Sequence, residues 1–168
     1  MSSTFAFTYT RTHTATYVSD HMRNVLRDII RSVGLDPSAL IDDWETIGCG
    51  IRTWLRSGHL ENIILEIYRI GQSIPDGRMD FPIHYGGSGV DDDLWVDRTH
   101  LQRTLAKIDK VPANCRYRVV LEARPGYPAV EGFCDAQLMT TNGLIRRGAG
   151  TLVATPDVVA QLSYWKRK

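Results

Sequence analysis

The spacing of apolar residues changes once along this chain, and that change constrains the fold. From Val18 to Val33 the apolar positions recur at intervals of three and four, which predicts a helix with one continuous apolar stripe that stops at Gly34. A second helical pattern begins after Asp36 and runs to Leu55. Gly48 interrupts this pattern and Gly50 does so again, so we predict a kink or break there.

Beyond the second helix the apolar period becomes that of strands. Residues 60–68 form a β-branched run, a turn follows at 74–77, and residues 79–85 alternate apolar and polar, which together predict a β-hairpin. Pro82 cannot donate to a strand ladder, so we expect its strand at a sheet edge or a bulge. The glycine- and aspartate-rich segment 86–93 is predicted to be a loop.

The last third of the chain differs again. A third helix is predicted from about Asp97, ending before Pro112. Residues 115–123 then predict a strand with Tyr117, Val119 and Leu121 on one face. The remaining tail shows only short apolar runs and predicts strands and loops without a helix-sized core, whereas the first ten residues fit a short strand or an arm. We therefore expect one α+β domain.

Composition limits the classes of function. With 20 Lys and Arg against 19 Asp and Glu the net charge is +1, so no strong overall field favours nucleic acid or an anionic membrane. No apolar run reaches the roughly 18 residues of a membrane span, and no secretion signal is expected. Three widely spaced cysteines favour reduced thiols in a cytoplasm over a disulfide framework.

The sequence offers little for catalysis. The glycines at 86–89 lack the following Lys and Ser or Thr of a phosphate-binding loop, and the aspartates at 91–93 lack the ligand spacing of a calcium loop. No histidine and cysteine pairing fits a metal site, so neither metal nor cofactor is expected. Two alternatives to a binding protein stay open. One is a small enzyme that pairs Cys134 or Cys115 with a histidine, and the other is nucleic-acid binding through Arg146, Arg147 and the basic C-terminal residues.

Seven segments, in this order and spacing, resemble bacterial HORMA domains, in particular the group called bacterial HORMA domain family 1 that is found in CBASS antiphage operons. They are YTRTHTATY at 9–17, GLDPS at 34–38, TWLRSGHLE at 53–61, LEIY at 65–68, CRYR at 115–118, RPGYP at 124–128, and the pair Tyr164 and Trp165. The chain departs from the family pattern at Phe133, where that pattern has a tryptophan.

The resemblance implies a fold and a set of site residues. It implies an antiparallel sheet backed by three helices, with an N-terminal arm at 1–16, a core at 17–124 and a mobile C-terminal "safety belt" at 125–168. A short closure-motif peptide would add as a strand, and the belt would then wrap across it. The implied hinge and anchor residues are Pro125, Gly126, Pro128, Tyr164 and Trp165. The receiving strand would consist of Arg116, Tyr117, Arg118, Val119, Val120, Leu121, Glu122 and Ala123.

The resemblance also implies partners. The closed protein would bind and activate a CD-NTase enzyme, which makes a cyclic nucleotide messenger. An AAA+ remodeller would reopen it through the N-terminal arm. Self-association by capture of another copy's tail remains open, and no nucleotide or metal site is implied in this chain.

Overall fold

The computed structural model describes residues 2–85, 95–155 and 158–168, with side chains from residue 14 onward except at 95 and 96. In this part of the chain the helices and strands follow in the order α1 (Ser2–Ser32), α2 (Ser38–Asp42), α3 (Trp44–Arg56), β1 (Leu60–Tyr68), β2 (Gly77–Tyr85), β3 (Trp95–Val96), α4 (Arg98–Leu105), β4 (Arg116–Ala123), β5 (Leu144–Ala154) and β6 (Val158–Arg167). The predicted loop at 86–93 lies outside the described residues.

The six strands form one sheet in the order β3-β5-β6-β2-β1-β4, and every described pair is antiparallel. Helices α1 and α3 pack against each other and cover one face of this sheet, with α4 beside β5. The resulting core confirms the predicted α+β class. It also places β4 at one edge of the sheet and the C-terminal hairpin, β5 and β6, on the other side of β2.

Helix α1 carries the predicted stripe, with each of its apolar residues at most 3% exposed. It ends in a Schellman motif, in which Gly34 adopts φ +93° and the amides of Gly34 and Leu35 donate to the carbonyls of Arg31 and Ile30. Its start differs from the prediction, because the helical backbone reaches back to Ser2. The segment at 2–16 is therefore helical and does not form the short strand that was one of the two alternatives for the first ten residues.

The break between α2 and α3 was also misplaced. It lies at Asp43, and both Gly48 and Gly50 sit within the uninterrupted helix α3. Gly50 is needed there for a different reason: a Cβ atom at this position would lie 2.6 Å from the Phe133 ring. A close side-chain approach therefore accounts for a glycine that the sequence pattern marked as a helix breaker.

The predicted hairpin of β1 and β2 is confirmed, but the position expected for Pro82 is wrong. Strand β2 lies inside the sheet between β1 and β6. Its register with β6 runs from Asp80 opposite Ser163 to Ile83 opposite Ala160, with no partners recorded for Phe81 and Pro82 between them. Proline is thus accommodated at an interruption of the ladder, which the local sequence does not reveal.

Candidate peptide-binding edge

Strand β4 pairs with β1 along its whole length and forms the edge of the sheet. As predicted, Tyr117, Val119 and Leu121 face the core. The Tyr117 hydroxyl donates to the carbonyl of Asp36 at 2.7 Å and accepts from the amide of Leu40 at 3.2 Å. This ties the start of the edge strand to α2. Burial raises the pKa of the Tyr117 hydroxyl, which therefore stays protonated and able to donate at neutral pH.

The residues between β4 and β5, 124–143, are called the crossing segment here. Its first part lies on the helical side of the sheet. The Trp54 indole Nε1 of α3 donates to the carbonyl of Pro128 at 2.7 Å, and the rings of Tyr127 and Phe133 lie 5.2 Å from the Trp54 ring. Phe133 also packs over Gly50. An aromatic cluster thus holds this half of the crossing segment to α3.

The second part of the crossing segment lies on the opposite face of the sheet. Arg118 and Glu66 are paired across β4 and β1, and both point away from the core face. The Arg118 guanidinium donates to Glu66 Oε1 at 2.8 Å and to the carbonyl of Gln137 at 2.5 Å. Glu66 Oε2 accepts from the amide of Met139 at 2.9 Å, and this carboxylate is fully buried. An ion pair between a partly exposed guanidinium and a fully buried carboxylate therefore fixes the backbone of the second half.

The crossing segment consequently passes from one face of the sheet to the other around the outside of β4. In the described chain, no backbone hydrogen bond joins β4 to the crossing segment that surrounds it. Most β4 residues are partly exposed even though a segment encloses them on both faces. The result is an unpaired strand edge with a loop of chain around it.

A family model for bacterial HORMA domain 2 matches residues 1–168. The chain belongs to the bacterial HORMA domain 2 family. The resemblance to bacterial HORMA domains is thereby confirmed, although the matching group is 2 and not the group 1 that the motifs indicated. No curated protein sequence gives a significant match.

Solved structures share the HORMA fold at low identity. A chain of the mitotic checkpoint complex superposes with a TM-score of 0.75 at 11% identity, covering 92% of this chain and 99% of that one. C. elegans HTP-2 bound to the HTP-3 closure motif 1 superposes with a TM-score of 0.61 at 15% identity, covering 89% of this chain and 85% of that one. The E. coli MS115-1 CdnC:HORMA-deltaN complex superposes with a TM-score of 0.59 at 17% identity, covering 96% of this chain and 89% of that one. At these identities the likeness establishes the fold.

The C-terminal hairpin of this HORMA domain is docked on β2. Tyr164 packs against the core, while the Trp165 indole Nε1 donates to Asp80 Oδ2 at 3.2 Å. The Arg78 guanidinium lies 5.1 Å from the Trp165 ring and pairs with Asp80 at 2.8 Å. The two predicted anchor residues therefore both contact the sheet, on opposite faces of β6.

The predicted hinge residues lie at the start of the crossing segment. Gly126 has φ +88°, a conformation that favours glycine, and it lies in the turn that follows Pro125. Pro128 contributes only its carbonyl, as the acceptor for Trp54. The residues that hold the crossing segment, Trp54, Phe133 and Glu66, were not among the predicted site residues. A glycine inside an amphipathic helix was the one available signal, because it marks the place where Phe133 packs.

The three cysteines bear on the enzyme alternative. The pKa of the Cys115 thiol is raised to about 11, mainly by burial and secondly by the hydrogen bond that Sγ donates to Asp76 Oδ2 at 3.4 Å. A thiol with this pKa stays protonated at neutral pH and is a poor nucleophile. Cys49 and Cys134 are exposed. Among the described residues, no three His, Cys, Asp or Glu side chains cluster as metal ligands, and no helix is long and apolar enough to cross a membrane.

Proposed function

We propose that this HORMA domain is a peptide-binding signalling adaptor in which a closure-motif peptide adds to β4 as a further strand. The observation that carries the proposal is the crossing segment, which surrounds the β4 edge without pairing with it. An added strand gains main-chain hydrogen bonds along an edge, while alternate side chains provide specificity. C. elegans HTP-2, which shares the fold, is bound to a closure motif.

The crossing segment and the C-terminal hairpin together correspond to the implied safety belt. A peptide seated between β4 and the crossing segment is enclosed, so it leaves only after the aromatic cluster and the Glu66 contacts have opened. This requirement adds a conformational step to release and predicts slow dissociation. The belt is therefore proposed to act as a two-state switch.

The partners follow from the family resemblance. The peptide-bound domain would bind a CD-NTase and license messenger synthesis in antiphage defence, and an AAA+ remodeller would reopen it by pulling on the N-terminal residues at 2–16. A HORMA protein of the same fold forms a complex with CdnC in E. coli MS115-1, which supports such a partner. No catalytic role is assigned to the chain itself, in line with the protonated Cys115 thiol.

Amide exchange measured by NMR tests the peptide site. A ligand is first selected from a library of random twelve-residue peptides, and exchange is then compared in the free and bound proteins. Because strand amides alternate in direction, one set of β4 amides is already bonded to β1. We expect the other set within Arg116–Ala123 to gain protection when the peptide binds. A tightly bound peptide that leaves these amides unprotected would rule out strand addition at β4.

Messenger synthesis tests the adaptor role. A candidate CD-NTase partner is assayed with the HORMA domain alone and with the selected peptide present. We expect messenger synthesis only when the HORMA domain and the peptide are both present. At a limiting peptide concentration, the Glu66→Gln variant should not stimulate synthesis, because the loss of the Glu66 contacts loosens its crossing segment. Equal synthesis with and without the HORMA domain would exclude the proposed adaptor role.

A further inference from the structure

A cleft of about 430 Å³ lies at the end of the sheet where β1 turns into β2, away from the enclosed edge of β4. One wall is the backbone that follows α4, from Lys107 to Pro112, which is fixed by a hydrogen bond from the amide of Val111 to the carbonyl of Val33 at 3.1 Å. The opposite wall is the end of β6, and the floor is the start of β2. Clefts of this volume are typical of sites that hold a small molecule or a few side chains.

The charge of this cleft is strongly uneven. Lys107 and Lys110 come from the wall after α4, and Lys166 and Arg167 come from the end of β6. All four side chains are exposed, and none of them forms an ion pair with another described residue. Asp109 is the carboxylate that faces them. In a protein whose net charge is only +1, four cations therefore line one cleft, although Lys166 and Arg167 project from opposite faces of β6.

The other two charged residues of the cleft neutralise each other. Arg69 donates from Nε and Nη2 to the two carboxylate oxygens of Asp76, each at 3.0 Å. This internal pairing leaves Lys107, Lys110, Lys166 and Arg167 as the lining cations that can attract a ligand. Partly exposed apolar side chains, Ile108, Val111 and Tyr164 among them, line the space between. This combination suits a peptide that carries both carboxylates and apolar side chains.

We propose that this cleft is a second peptide site, which takes an acidic segment of a partner polypeptide and is complete only while the C-terminal hairpin is docked on β2. An acidic peptide fits better than nucleic acid, because its apolar side chains can contact the apolar lining between the cations, whereas a continuous chain of phosphates has no such groups. The volume also limits the ligand to a short segment.

The hairpin makes the site dependent on the state of the belt. Tyr164, Trp165, Lys166 and Arg167 of β6 and Leu144 of β5 all line the cleft, so one wall and two of its four free cations leave when the hairpin undocks. A partner with an acidic segment would therefore recognise the docked belt and stabilise it in return. This state dependence rests on the proposed two-state belt, whereas binding of the acidic segment does not.

Fluorescence polarisation tests the site with a labelled octapeptide of alternating glutamate and leucine. We expect it to bind the full chain, and the double variant K110E/K166E to bind at least about tenfold more weakly. The variant R23E/R27E changes the total charge equally on α1, outside the cleft, and should bind as the wild type does. Equal affinity for both double variants, or tighter binding of a labelled oligothymidine of the same charge than of the peptide, would overturn the proposal.

Two further measurements separate this proposal from the peptide site on β4. The library-selected closure peptide should bind K110E/K166E as it binds the wild type, because it occupies β4 and not the cleft. If the wild type binds only one of the two peptides, the proposal for the other peptide has failed. At a free acidic peptide concentration of about 100 times Kd, amides of β6 that exchange by undocking should slow about a hundredfold. Unchanged exchange of β6 in the bound protein would show that the site does not require the docked hairpin.

Discussion

Because Gly50 lies against the ring of Phe133, we expect Gly50→Ala to destabilise the protein when Phe133 is present and to stabilise it when the ring is removed. Replacing a glycine in a helix by alanine normally stabilises the helix by about 1 kcal/mol. At Gly50, however, the new Cβ would lie 2.6 Å from two atoms of the Phe133 ring. Overpacking of this kind costs about 1–3 kcal/mol. We therefore expect Gly50→Ala to destabilise the protein by about 1 kcal/mol, the overpacking cost less the gain in helix propensity.

The variant Phe133→Ala removes the obstacle. In that background the added methyl still approaches Leu121 Cδ1 at 3.2 Å, but this is the end of a flexible side chain that can shift. Gly50→Ala should then stabilise the protein by up to about 1 kcal/mol. The two substitutions are therefore coupled by about 2 kcal/mol.

Urea denaturation of the four proteins in this double-mutant cycle measures the coupling, and thermal unfolding should show shifts of about 2–4 °C for each kcal/mol. Hydrogen exchange adds a local readout, because Gly50→Ala should speed exchange in the crossing segment when Phe133 is present. If Gly50→Ala changes the free energy of unfolding by the same amount in both backgrounds, Phe133 does not require the glycine, and the proposed anchoring of the crossing segment is wrong.

Three other substitutions or reactions test neighbouring contacts. Glu66→Gln should lower the free energy of unfolding by about 2 kcal/mol and speed proteolysis of the crossing segment, because Arg118 loses a buried counter-ion but keeps access to water. Glu61→Gln, at an exposed pair, should change stability little, and equal effects of the two substitutions would show that Glu66 does not hold the crossing segment. Trp54→Phe should cost about 1 kcal/mol in urea denaturation, since the carbonyl of Pro128 loses its donor, and an unchanged midpoint would contradict that bond. Because the pKa of Cys115 is raised to about 11, little of its thiol is ionised at pH 8. Iodoacetamide at pH 8 should therefore label the exposed Cys49 and Cys134 but spare Cys115. Labelling of Cys115 as early as the other two, followed by peptide mass spectrometry, would contradict its raised pKa.

Several elements followed from local sequence because the physical cause is local. The apolar stripe of α1 follows from the spacing of residues within one helix. Gly34 ends the helix because the left-handed backbone conformation costs less free energy for glycine than for any other residue. Asp97 caps α4 by accepting from the amide of His100 at 2.8 Å, three residues along the chain. The alternation in β4 likewise predicted which of its side chains face the core.

Other features depend on segments that are distant in sequence. Pro82 was assigned to an edge strand or a bulge because a single strand does not show that β6 will return to pair beside it. Glu66 reads as an ordinary polar position in a strand, although its carboxylate is buried by Arg118 and by a backbone that arrives more than seventy residues later. No short-range pattern encodes such a partner.

The sequence by itself determined the α+β class, most of the helices and strands, and, through resemblance, the HORMA fold with β4 as a candidate edge. Only the tertiary structure decided that the crossing segment encloses this edge, that Trp54, Phe133 and Glu66 hold it there, and that the docked hairpin completes a basic cleft. The physical reason is that helix and strand periods arise from neighbours within a few residues. The path of a loop arises from contacts that exist only after the sheet has assembled.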